Sequence, residues 1–170
     1  MYELVLLFFQ ITIFKKGPQD VPVSAFVLKL LLPVYVAVNY LILLMNGALS
    51  TALLQILADF AMILLFCWPL LYVAGKSHRF PQTLAAMIGT DIVLSFLALP
   101  AIATLNTQAN DLAYFSMLTL VLWRWLVTGH IMKHALDRSL FFALGLALLY
   151  IMLSSQVMAA LFPEIVSNPE

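Results

Sequence analysis

Residues 112–136 read Leu-Ala-Tyr-Phe-Ser-Met-Leu-Thr-Leu-Val-Leu-Trp-Arg-Trp-Leu-Val-Thr-Gly-His-Ile-Met-Lys-His-Ala-Leu. The run is long enough to cross a bilayer, since a spanning helix needs about 20 mostly apolar residues. It carries Arg124 at its centre. An arginine at that depth costs roughly 2.5–3.5 kcal/mol on insertion scales and is rarely left facing lipid. Other helices must therefore surround Arg124 and bring an acceptor to it. The stretch predicts a bundle rather than a lone anchor.

Composition agrees. Of 170 residues, 64% are hydrophobic and 9% charged, where a soluble domain carries about 25% charged residues. The formal net charge of zero argues against nucleic acid as a partner. A single cysteine, Cys67, excludes an internal disulfide and a C-x-x-C redox pair. The apolar run over residues 4–14 is followed, not preceded, by Lys15 and Lys16 and lacks an A-x-A site, so no cleavable signal peptide is expected.

Working outward from 112–136, residues 106–111 form a short polar loop leading back to a span over 82–105. That span holds Asp91 near its middle, Pro100 further on, and Ala85 and Gly89 at a spacing that permits close helix approach. The basic loop 75–79 separates it from a span over 51–74, in which Gln55 and Asp59 share a face. Asn46-Gly47 signals a tight turn after a first span over 25–46, so these two spans should form a hairpin. Ser24 can cap that first span. On the other side, a span over 139–162 carries Ala143, Ala147 and the polar band Ser154-Ser155-Gln156, and Pro163 stops it before a short acidic tail. Residues 1–14 are apolar but too short to span, and are expected as a helix in the interface with Lys15 and Lys16 at the headgroups. The predicted fold is all-α, with one membrane domain over 1–170. It is a polytopic bundle of five transmembrane helices with a short N-terminal interfacial helix.

Of the eight Lys and Arg residues, Arg124 is mid-span. The other seven, Lys15, Lys16, Lys29, Lys76, Arg79, Lys133 and Arg138, fall on one side of this five-span layout, and none falls on the other. Lys and Arg in short loops favour the cytoplasm. The expectation is a bacterial inner-membrane protein with a cytoplasmic N-terminus and an outer C-terminus.

At about 1.5 Å per residue from the outer end of each span, Arg124 lies roughly 18 Å deep, Asp91 roughly 21 Å and Tyr150 roughly 18 Å. Asp59 lies roughly 12 Å deep, and Asn39 and Gln156 roughly 10 Å. Arg124, Asp91 and Tyr150 thus share a middle layer. Asn39, Gln55, Asp59, Ser154 and Gln156 share an outer one. Such a buried network is either a brace that holds five helices in register or a polar pathway with Asp59 or Asp91 as protonatable relay. Asp91, on the sequence-adjacent span, is the expected partner of Arg124.

His130 and His134 stand four apart on one helical face, a spacing that can suit a metal. Ile131 and Met132 occupy the positions where H-E-x-x-H has its glutamate and next residue, so the pair reads as interfacial histidines on a basic helix end. No G-x-S-x-G, P-loop or dinucleotide fingerprint is present. The expectation is no enzyme, no metal and no cofactor.

Five closely spaced spans, the inferred orientation and Phe14-Lys15-Lys16-Gly17-Pro18 before the first span resemble small bacterial members of the Yip-domain family. The resemblance implies a five-span membrane fold and no defined chemistry, and it carries over no functional residue. The long cytosolic region that eukaryotic relatives use in vesicle trafficking and small-GTPase contact has no counterpart here. The basic face, the buried charges and this resemblance together leave two expected functions. One is a non-enzymatic membrane protein that organises partner proteins or lipid through its basic cytoplasmic face. The other is a small transporter or channel built on Asp59, Asp91 and Arg124.

Overall fold

The computed structural model describes residues 2–45, 51–107 and 110–163. It is all-helical, with six α-helices in the described residues: α1 (Tyr2–Thr12), α2 (Ala25–Met45), α3 (Ala52–Val73), α4 (Phe80–Thr107), α5 (Asp111–Leu136) and α6 (Leu140–Leu161). The last five are long and apolar enough to cross a membrane. The chain is therefore read as a multi-pass membrane protein. The expected turn at Asn46-Gly47 and the acidic tail after Pro163 lie outside the described residues.

Local sequence explains the helix ends. The Ser24 hydroxyl accepts the Phe26 N–H at 3.2 Å, the Asn110 side chain accepts the Ala113 N–H at 2.8 Å, and the Ser139 hydroxyl accepts the Phe142 N–H at 3.4 Å. Each satisfies an N–H that has no partner within its own helix. Gly75, with φ 69°, turns the chain after α3 through the left-handed region that glycine enters without penalty. α4 runs past the expected end at 105. The hydroxyls of Thr104 and Thr107 bond back to Pro100 O and Ala103 O at 2.8 and 3.0 Å, so these polar residues stay in the helix. Pro33, Pro69 and Pro100 all lie inside helices. Neighbouring helices make such prolines tolerable in spans.

α4 is the axis of the bundle. It packs against α1, α2, α3 and α5, and residues 83–91 are buried without a break. Around it α2 meets α3, α3 meets α6, and α6 lies along α5. Ala143 and Ala147 are fully buried on α6. Gly129 of α5 lies against Leu144, whose carbonyl accepts the Trp125 indole N–H at 2.9 Å.

The basic end is clamped. Lys76 donates to Leu136 O at 2.8 Å and pairs with Asp137 at 2.6 Å. Arg79 donates to His134 O at 3.2 Å and pairs with Asp137 at 2.9 Å. Two cations thus cover the C-terminal carbonyls of α5, the negative end of its dipole. Asp137 takes a left-handed conformation, φ 49°, to end the helix.

α1 is more deeply engaged than an interfacial helix needs to be. Leu7, Phe8, Ile11 and Thr12 are buried, and the Phe8 ring fills the space where Gly89 lacks a side chain. Gly89 is the tenth residue of α4, roughly 14 Å from its start at 1.5 Å per residue. The carbonyl of Thr12, in the last turn of α1, accepts the Trp123 indole N–H at 2.9 Å. The chain then turns through Phe14, at φ 63°. Its ring meets His130 edge-on at 5.3 Å, and His130 Nε2 donates to Lys16 O at 2.9 Å. The small-residue position on α4 therefore receives the N-terminal helix.

Candidate functional site

Tyr35, Asp59, Asp91, Arg124 and Tyr150, drawn from α2–α6, gather around the middle of α4. Asp91 of α4 and Arg124 of α5 form an ion pair. The Asp91 side chain is 6% exposed and that of Arg124 is 40% exposed. The pair therefore reaches from the core to the rim of the bundle, with the carboxylate inside. A long guanidinium arm suits this arrangement, because its stem packs against apolar neighbours while its fork reaches the acceptor.

A small enclosed space lies beside the pair, lined by Ile63, Thr90, Asp91, Arg124, Thr128 and Tyr150 among others. Its volume is about 10 Å³, room for roughly one water. Thr90 has turned its hydroxyl to Ala86 O at 2.8 Å. Tyr150 is buried and its ring lies 5.0 Å from that of Phe66. The middle layer of Arg124, Asp91 and Tyr150 is thus one cluster in space, drawn from α4, α5 and α6.

Asp59 belongs to a second, adjoining pair. It accepts the Tyr35 hydroxyl at 2.6 Å, which ties α3 to α2. Tyr35 is 1% exposed and is the largest fully buried side chain in the described residues. Sequence reading missed it. A tyrosine in an apolar helix looks like core, and only the facing carboxylate reveals the hydroxyl's role. A buried phenol does usually find a partner, which was the available signal.

Of the three other expected members, Asn39 lies beside Asp91, Gln55 sits at the start of α3 and Gln156 stays outside. Asn39 is half-buried and donates to Tyr35 O, one turn back on its own helix, at 3.0 Å. Gln55 is buried, and its amide donates to Thr51 Oγ1 at 2.7 Å, so it closes the start of α3. Gln156 does not join the buried network. It is exposed on α6, as is Ser155, whose hydroxyl bonds to Met152 O at 2.9 Å. The correction is rotational. Ala143, Ala147 and Tyr150 face inward along α6, and Gln156 falls on another face of the same helix.

His130 and His134 have ring centroids 4.6 Å apart. No group of three or more His, Cys, Asp or Glu side chains able to hold a metal occurs among the described residues. Cys67 is buried in the core of α3.

What this arrangement does chemically is hold two carboxylates and one guanidinium, with two phenols, at mid-bundle with almost no free volume. No protein-family model, curated protein or solved structure matches the chain.

Proposed function

We propose that the chain is a non-enzymatic, Yip-like membrane protein that organises partner proteins or lipid at its basic face, which is the cytoplasmic one. The observation that carries this reading is the division of charge along the bundle. Lys15, Lys16, Lys29 and Arg138 are exposed at one end, and no ion pair among the described residues uses any of them. Lys76 and Arg79 at the same end are spent on Asp137 and the α5 terminus. The near-absence of space beside Asp91 supports a brace rather than a passage. The test is photo-crosslinking in cells from residues placed at His78 and Arg138, against residues placed at Thr107 and Leu161. Adducts should concentrate at the first two. Adducts confined to the second two would overturn the reading.

One observation favours a second reading, a small proton- or ion-conducting protein. Asp59 is only half-buried, and Arg124 is partly exposed. Reconstituted in liposomes, such a protein would support a flux that Asp59→Asn abolishes. A flux no higher than in empty liposomes would remove this second reading.

A further inference from the structure

We infer that the surface formed by the α1–α2 connection and α5 is a binding site for one anionic phospholipid, with the headgroup on Lys15, Lys16 and Lys133 and an acyl chain along α5. The inference rests on the reading of the basic end as the functional one, and it names the partner there.

The headgroup half is drawn from Lys15, Lys16 and Lys133, none of which enters an ion pair among the described residues. The bond from His130 to Lys16 O brings the connection onto α5, and Lys133 lies one turn along from His130 on that helix. Asp137 pairs with Lys76 and Arg79. Asp20, which accepts the Gly17 N–H at 2.8 Å, is the one carboxylate of the connection itself, a single negative charge against three lysines. Lysines on the connection and on the helix it meets attract an anion, and a phosphate offers several acceptor oxygens.

The acyl half is a groove of about 350 Å³ on α5, lined by Phe14, Phe115, Leu118, Leu122, Trp123 and Leu126 with Thr119. Thr119 brings the only hydroxyl among these residues, and it is returned to Phe115 O at 2.8 Å. The groove starts at Leu126, four residues from His130, and reaches Phe115. That is roughly 17 Å along the axis at 1.5 Å per residue, about half of a ~30 Å hydrocarbon core.

Phe14 joins the halves. Its ring lies against His130 on one side and lines the groove on the other. It is held there by a backbone with φ 63°, a region that bulky residues rarely adopt. The same turn sends Lys15 and Lys16 back over α1, where both N–H groups donate to Gln10 O at 2.9 and 3.3 Å. Lysines beside the mouth of an apolar groove of single-leaflet length fit a phospholipid. A free phosphate would leave the groove empty, and an acidic peptide would have to bury charge in it.

The test is native mass spectrometry of the full chain in mild detergent, with phosphatidylglycerol or phosphatidylcholine added. One molecule of phosphatidylglycerol should be retained in preference to phosphatidylcholine. Replacing Lys15, Lys16 and Lys133 together by Gln should lower that preference by about fivefold per lysine, and replacing them by Arg should keep it. Leu122→Trp, which fills the groove, should weaken retention of both lipids. Equal retention of the two lipids, or a preference unchanged in the Gln variant, would overturn the site. Inorganic phosphate competing as well as phosphatidylglycerol would do so too. If the lipid preference is missing while crosslinks still concentrate at the basic end, only the lipid assignment falls. If those crosslinks are also missing, the broader reading falls with it.

Discussion

Phe8 of α1 occupies the volume that a side chain at Gly89 of α4 would need. Phe8 is buried, so its ring has nowhere to swing. Gly89→Val should therefore push α1 off α4 at a cost of about 1–3 kcal/mol, the usual range for overpacking. Phe8→Ala in the same chain should recover part of that loss by making room. Thermal unfolding in detergent measures the first effect. A spin label at Leu6, moving from buried-lipid to headgroup accessibility in Gly89→Val, measures the second. An unchanged label in a destabilised protein would contradict the displacement.

Asp91 and Arg124 are coupled across α4 and α5. Removing either partner strands the other away from water and should cost about 3 kcal/mol, the lower end of the range for buried pairs, because Arg124 is partly exposed. The double variant Asp91→Ala with Arg124→Ala should be more stable than the sum of the single losses. Arg124→Lys should rescue poorly, since an ammonium lacks the fork and the reach. Folded yield and denaturation midpoints of the four proteins give the coupling directly.

Tyr35→Phe removes the donor to Asp59 while keeping the ring that packs against Phe60. The expected loss is about 1–2 kcal/mol, because the Tyr35–Asp59 hydrogen bond is lost while the half-buried Asp59 keeps some access to other partners. Asp59→Asn keeps an acceptor oxygen for the Tyr35 hydroxyl and should be milder. The order reverses if Asp59 is bonded mainly through groups other than Tyr35, and chemical denaturation of both variants decides it.

Asp137 has its carboxyl held below the ordinary carboxylate range, first by its hydrogen bond from Lys76 and then by Arg79. Its folded-state value lies below its unfolded one, so its contribution is present above the unfolded value of about 3.9 and is lost as pH falls through the folded value. The melting temperature of the parent should thus drop more between pH 6 and pH 3 than that of Asp137→Asn. Asparagine is the right comparison because it tolerates the left-handed backbone at this position. The side chain is exposed, so the difference should be small.

With the basic end facing the cytoplasm, as proposed, the chain takes one orientation. A reporter fused after Pro163 should report the outside, and one inserted at Ser77 the cytoplasm. Both reporters on one side would be incompatible with five spans.

Much of this architecture is written in one dimension. The length of each apolar run sets the spans, and Ser24, Asn110 and Ser139 mark where helices begin. The short loop between α4 and α5, with depth counted along each helix, was enough to match Asp91 to Arg124. Rotation about each helix axis was not legible in the same way. In a soluble protein an apolar stripe shows which side faces the core, but helices in lipid are apolar on every side and lose that signal. Tertiary packing therefore decided that Gln156 faces outward and that Tyr35 meets Asp59. It also decided that Gly89 receives Phe8. The clamp of Lys76 and Arg79 on Asp137 is likewise tertiary, because it joins residues about 60 positions apart at one end of the bundle. Depth is a property of the chain, whereas facing is a property of its neighbours.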